Sequence, residues 1–200
     1  MSERSGIELN ANFWDQLYQH NMTGWDLGKP SPALTNYIDS LPDKDIAILI
    51  PGCGNAYEAA YILEKGFTNL TLIDIAPSLV KNLLERFENH IGKELTLVAG
   101  DFFKHRGRYD LILEQTFFCA LDPALRTAYA THMHKLLKPG GKLAGLLFDR
   151  PFEGGPPFGG SAAEYRELFS PVFEIKKLEP CANSVKPRMG SEVFFEIEPK

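Results

Sequence analysis

The sequence has few cysteines, no basic cluster and no long apolar run, and each absence narrows the field. Three cysteines in 200 residues, Cys53, Cys119 and Cys181, are odd in number and widely separated. They provide no disulfide framework and no Cys-x-x-Cys spacing for zinc, so reduced thiols and no metal site are expected. His132 and His134 lie two apart on a predicted helix, face different ways, and make no metal-binding pair. No apolar stretch approaches the ~20 residues of a membrane-spanning helix, and no apolar leader core follows Met1-Ser2-Glu3-Arg4. A cytoplasmic protein without a membrane partner is therefore expected. The net charge of −5, with no run of Lys and Arg, argues against nucleic acid, whose phosphates need a clustered basic face.

What is present is ordinary globular composition, 44% hydrophobic and 24% charged, on a length that suits one domain. Short apolar runs alternate with helical patterns. Asp45 to Ile50 reads as a first strand, apolar on both faces. A helix from Asn55 to Lys65 follows and stops at Gly66. Leu70 to Ile75 predicts the second strand, and Pro77 opens a helix reaching about Asn89. Leu95 to Ala99 and Tyr109 to Leu113 predict the third and fourth strands. Asp122 caps a helix that Pro123 opens and that ends at Leu137. Lys138 to Gly141 is a turn, and Lys142 to Phe148 the fifth strand.

Beyond it, Arg150 to Gly160 is a loop rich in Gly and Pro, and Ala162 to Phe169 a short helix. Val172 to Leu178 and Glu192 to Ile197 are two last strands; Phe194-Phe195 leaves the facing of the second open. Phe13 to His20 predicts a short helix packed on the domain, after ten loose residues. Repeated strand-helix-strand units imply a Rossmann-like α/β fold: a doubly wound, seven-stranded, mostly parallel sheet with helices on both faces and an antiparallel edge hairpin.

In such a sheet, ligands bind beyond the carboxyl ends of the strands. Pro51-Gly52-Cys53-Gly54 stands there, after the first strand, and Asp74 follows Gly54 by 20 residues at the end of the second. Glycines permit close approach, and a carboxylate accepts hydrogen bonds from two ribose hydroxyls. Singly, these residues are equally a tight turn and a helix cap. Tyr57 occupies the third glycine position of a dinucleotide fingerprint, and no Gly-Lys-Ser/Thr follows for a triphosphate. A nucleoside without phosphates fits better. Gly100-Asp101-Phe102 ends the third strand, where Asp101 accepts from an adenine amine and Phe102 contacts the ring, unless Phe102 is a core aromatic.

Four segments then carry a resemblance over nearly the whole chain: Gly24-Trp25-Asp26-Leu27-Gly28-Lys29-Pro30, Leu49 to Gly54, Thr116-Phe117-Phe118-Cys119-Ala120-Leu121, and Gly154-Gly155-Pro156-Pro157-Phe158. The sequence resembles the class I S-adenosylmethionine-dependent methyltransferases, and within them the halide/thiol methyltransferase branch of the thiopurine S-methyltransferase superfamily. The resemblance implies that Trp14, Tyr18 and Trp25 wall the cofactor, Gly52 and Gly54 flank its methionine part, Asp74 takes the ribose, and Asp101 and Phe102 take the adenine. Tyr18 stands where the family often has Trp, and Gln115, at a further cofactor position, where plant members have Tyr. Residues 1–200 form one methyltransferase domain in this reading, with 1–40 as a helical cap over the cofactor.

Methyl transfer from a sulfonium is an in-line displacement, so positioning and exclusion of water supply much of the rate. Thiols near pKa 8.5 need no dedicated base, in keeping with the lack of a Ser/His/Asp or Cys/His constellation. No residue is assigned a catalytic role; Phe117, Phe118, Cys119, Arg150 and Phe158 are candidates for the acceptor pocket under a lid of residues 152–161. Phe117 and Phe118 are alternatively core, and Arg150 alternatively a surface ion pair. The expected reaction is methylation of a thiol, hydrosulfide, thiocyanate, halide or thiopurine-like sulfur by a monomer or weak oligomer. The alternative is a cofactor-binding module with little or no turnover.

Overall fold

The computed structural model describes residues 8–200. The expectation of a loose start therefore falls almost wholly outside the described residues, as does the beginning of the 1–40 cap. Seven strands form one sheet: β1 (Ile48–Pro51), β2 (Leu70–Asp74), β3 (Leu95–Ala99), β4 (Tyr109–Gln115), β5 (Leu137–Phe148), β6 (Phe173–Pro180) and β7 (Glu192–Pro199). Their order is β3-β2-β1-β4-β5-β7-β6. β1 to β5 pair in parallel, and β7 runs antiparallel to both β5 and β6. The edge hairpin is thus present, with its last strand on the inside.

Six helices surround the sheet: α1 (Ala11–Gln19), α2 (Pro32–Asp39), α3 (Tyr57–Glu64), α4 (Pro77–Arg86), α5 (Arg126–Leu136) and α6 (Ala162–Phe169). Two apolar cores lie on its opposite faces. One joins Leu34 and Ile38 of α2, Ile62 of α3 and Leu79 and Leu83 of α4 to the sheet. The other joins Tyr129 and Met133 of α5 to Phe169 of α6. β7 serves both faces: Phe195 stacks on Phe169 at 5.8 Å, while Phe194 meets Tyr37 of α2 at 5.6 Å.

Several boundaries shift for local reasons. β1 begins three residues late because Asp43 takes the Asp45 N–H and Asp110 takes the Ala47 N–H, so side chains replace the ladder there. α3 begins at Tyr57 because Ala56 is left-handed, at φ +52°. β2 stops at Asp74, whose side chain accepts from Ala76 N–H and turns the chain. α4 ends at Arg86 rather than near Asn89. Asp122 caps a 3-10 turn, Pro123–Leu125, that runs into α5. Residues 138–141 lie within β5 yet still make the expected excursion: the register jumps from Tyr109↔Leu137 to Leu111↔Lys142, with Gly140 at φ +74°. α6 matches its expected span and carries a reciprocal Ser161–Glu164 capping box.

α2 was not expected from the sequence, although Ser31-Pro32 is an N-cap and N1 pair. α1 is capped by Asn10, which accepts from Phe13 N–H at 3.0 Å. It is fastened to the sheet layer by Asp15, whose Oδ1 accepts both the N–H and the hydroxyl of Ser78, each at 2.6 Å, in the first turn of α4. Those bonds hold the Asp15 carboxyl below its usual range.

Candidate active site

The strand order reverses between β1 and β4, and the carboxyl ends of β1 to β4 open there into a cavity of about 930 Å³. That is the topological switch point of a doubly wound sheet. Trp14, Tyr18, Trp25, Gly52, Gly54, Asp74, Asp101, Phe102 and Gln115 all line it, so nine residues scattered over a hundred positions meet in one space. Trp25 packs edge-on against both Trp14 (5.7 Å) and Tyr18 (5.9 Å), forming an aromatic wall on the α1 side.

Both loop glycines are left-handed, at φ +55° and +52°. Their lack of side chains makes room chiefly for the protein itself. A Cβ on Gly52 would overlap the Phe117 ring, and one on Gly54 would lie 3.1 Å from the Tyr18 hydroxyl. The glycines thus let the walls of the cavity close on the loop.

Asp74 is buried; one carboxylate oxygen accepts from Gly54 N–H and the other from Ala76 N–H, each at 3.1 Å. Burial pushes its pKa up, and the backbone donors oppose that. A carboxylate has about four acceptor sites, so both oxygens retain capacity for a ligand. Asp101 Oδ1 caps the 3-10 turn Phe102–Lys104 through Phe103 N–H at 2.9 Å. Phe102 is a core aromatic, buried and edge-on to Phe117 at 5.0 Å and to His132 at 4.8 Å, and it also borders the cavity. Gln115 Oε1 is buried and has no hydrogen-bond partner among the described residues. A nucleoside sulfonium fits this donor set: a free acceptor amide, a ribose-type carboxylate and aromatic faces for a cation.

The acceptor side departs from expectation at two residues. Phe117, Cys119 and Arg150 line the cavity; Phe118 and Phe158 do not. Phe118 is a core residue, packed edge-on against Tyr129 (5.0 Å) and Tyr165 (5.6 Å), because the turn after β4 sends successive side chains to opposite sides. Phe158 instead folds beneath Gly155 and donates its N–H to Cys119 O at 2.6 Å, leaving Phe152, Pro156 and Pro157 to cover the cavity. Arg150 makes no ion pair among the described residues; its guanidinium lies over the Phe152 ring at 4.8 Å.

Further polar residues in and around the cavity carry contacts that no motif describes. Arg188 donates to Trp25 O at 2.6 Å, pairs with Glu192 at 3.4 Å and lies over Phe148. Glu58 accepts from Ser31 N–H, and Asp26 accepts from Asn55 and from Tyr57 at 3.3 Å. Asp26 lay within a segment of resemblance; for Arg188 and Glu58, spacing holds no signal. No group of three or more His, Cys, Asp or Glu suited to a metal occurs among the described residues, and no helix there is long and apolar enough to cross a membrane.

Comparison with known proteins identifies what the chain resembles. The family profile described as thiopurine S-methyltransferase matches residues 9–197. A probable thiol methyltransferase 2 of Arabidopsis thaliana is 34% identical, over 92% of this chain and 84% of that one. A thiopurine S-methyltransferase of Acinetobacter baylyi is 27% identical, over 86% and 88%. Among solved structures, magnesium protoporphyrin IX methyltransferase from Synechocystis superposes with a TM-score of 0.73 at 12% identity, over 98% and 100%, which shows the shared fold. The chain belongs to the thiopurine S-methyltransferase family, whose members are S-adenosylmethionine-dependent methyltransferases.

Proposed function

We propose that the chain methylates small soft nucleophiles, with a thiol sulfur as the preferred acceptor and hydrosulfide, thiocyanate, halide and thiopurine-like sulfur as its wider class. The observation that carries this reading is the single cavity into which Asp74, the Trp14/Tyr18/Trp25 wall and the apolar pair Phe117 and Cys119 all face. The names of the relatives, thiol methyltransferase and thiopurine S-methyltransferase, support it. In this reading 1–200 is one domain, and its first 40 residues cap the cofactor, supported by the Asp15–Ser78 fastening. The reading includes a cytoplasmic monomer or weak oligomer acting on small molecules; the net charge of −5 supports the part of it that excludes nucleic acid.

S-adenosylmethionine supplies an electrophilic methyl on a sulfonium. The aromatic wall would draw that cation by about 0.5–2 kcal/mol, Asp74 would hold the ribose and Gln115 Oε1 would accept a donor of the bound molecule. Asp101 and Phe102 would take the adenine, and Gly52 and Gly54 would flank the methionine part. Phe117 and Cys119, which line the cavity, would hold the acceptor, and Arg150 would attract its anionic form. No side chain needs to take a proton, because a thiol near pKa 8.5 reaches the site partly ionised.

The test is a panel of thiophenol, hydrosulfide, thiocyanate and iodide, followed by S-adenosylhomocysteine release. Turnover greatest with the sulfur acceptors supports the reading. Cofactor binding with no methylated product from any acceptor favours a binding module instead.

A further inference from the structure

Glu114 has no exposed surface at all, unlike the other buried acidic side chains. It is the penultimate residue of β4, directly before the cavity-lining Gln115. Its Oε1 accepts the N–H groups of Phe117 at 2.8 Å and Phe118 at 2.9 Å, and its Oε2 accepts the Tyr129 hydroxyl at 2.5 Å. The titratable groups facing it are Tyr129 on α5 and Cys119 in the following turn; no cation pairs with it among the described residues. On β5, Gly145 abuts it, and a Cβ there would overlap the Glu114 carbonyl. Burial pushes the carboxyl up to about 7. A buried carboxylate without a counter-ion is costly, and an apolar side chain of similar volume would suit the core better.

Its hydrogen bonds show what the carboxylate achieves. The chain turns sharply after β4, with Thr116 at φ +61°, a conformation rare for a β-branched residue. The turn closes because two consecutive N–H groups point back to one carboxylate oxygen. Phe117 then lays its ring over Gly52. Cys119 faces the cavity, donates Sγ–H to Thr116 O at 3.3 Å, and receives Phe158 N–H on its own carbonyl. One side chain therefore sets the wall between cofactor and acceptor and the anchor of the covering segment.

We infer that Glu114 is a positioning residue for the methyl acceptor: its carboxylate fixes the Thr116–Cys119 turn and thereby the alignment of the acceptor with the methyl donor. This rests on the acceptor-side reading proposed above. Glu114 touches no reacting atom, so its effect falls on turnover rather than on cofactor affinity.

The test compares Glu114→Gln, Glu114→Met and Tyr129→Phe in the full chain, with thiophenol and hydrosulfide as probes. Glutamine keeps an oxygen for the two N–H groups and turns an amide NH2 toward Tyr129, whose hydroxyl then accepts instead of donating; methionine keeps neither. Glu114→Met is expected to lower kcat/KM for both probes by at least about thirty-fold while the Kd for S-adenosylhomocysteine changes by less than about three-fold. Glu114→Gln is expected to restore turnover to within about five-fold of the parent, with Tyr129→Phe between the two. The amide resonances of Phe117 and Phe118 should titrate near pH 7 in the parent and stop doing so in Glu114→Gln.

Equal losses of cofactor affinity and turnover, a glutamine variant no better than methionine, or amides that do not titrate would each overturn the inference. If Glu114→Met fails to fold, the glutamine and phenylalanine variants and the amide titration decide it. A parent inactive on both probes sinks the acceptor reading, whereas the amide titration still reports whether Glu114 holds the turn.

Discussion

The ring of Phe117 occupies the space in which a side chain on Gly52 would begin. The loop after β1 and the turn after β4 are therefore packed directly on one another at the centre of the site. Gly52→Ala must displace that ring and also holds a left-handed residue at φ +55°. The combined cost is about 2–5 kcal/mol, a fall in Tm of roughly 5–15 °C. Thermal unfolding measures it, and an unchanged Tm would show that the ring moves freely.

In the proposed reading Asp74 takes the ribose of the cofactor. Hydrogen bonds to a charged group are worth about 1.5–3 kcal/mol each, so Asp74→Ala should weaken S-adenosylhomocysteine by at least about thirty-fold. Asp74→Asn keeps one acceptor oxygen and should lose less. Titration calorimetry distinguishes them; equal affinities for parent and alanine variant would remove Asp74 from the cofactor.

Two thiols border the cavity beside a methylating agent. Burial, with Glu114 opposing the charged form, pushes Cys119 up to about 12. Burial, with Asp74 nearby, also raises Cys53 well above the ordinary thiol range. Both are held as thiols at neutral pH and are poor nucleophiles. Iodoacetamide at pH 8 should leave Cys53 and Cys119 unlabelled in the folded protein and label both in urea, as read by peptide mass spectrometry. Rapid native labelling would mean that the site opens far more widely.

Glu114 also makes stability depend on pH in an unusual direction. Its pKa rises from 4.5 unfolded to about 7 folded, so between those values the folded chain binds more protons than the unfolded one. Stability from this group is full below pH 4.5 and falls as pH rises through 7, by about 3 kcal/mol at most. Asp74 and Glu58, also raised by burial, slope the same way. The difference between parent and Glu114→Gln isolates the single group: urea unfolding should show the glutamine variant gaining relative stability from pH 5 to 8, and parallel curves would contradict the shift.

Much of this architecture is legible in the sequence because its signals are local. The span of α6 follows the Gly- and Pro-rich loop before it, the stop after α3 comes from Gly66, and the meeting of Gly52, Gly54 and Asp74 at one cavity comes from glycines and an aspartate at the ends of successive strands. Other features depend on contacts between distant residues. Phe117 and Phe118 are alike in type and adjacent, yet one borders the cavity and the other is core, because a side chain buried behind them sets the turn. Phe194 and Phe195 both find apolar partners because α2, with only eight residues and a polar stretch, covers one of them. The role of Glu114 is hidden for the same reason: a lone Glu at the end of an apolar strand reads as the exit to solvent.

The place of β7 in the sheet has a consequence for assembly. β6 is hydrogen-bonded to the sheet only through β7, and β7 also supplies the antiparallel partner of β5. Until residues 192–199 are in place, two strand edges stand open at once, and the Phe169 face lacks Phe195. β7, which follows the other six strands in the chain, is thus the one that seals this sheet, and until it docks the open edges are a template for pairing with other copies.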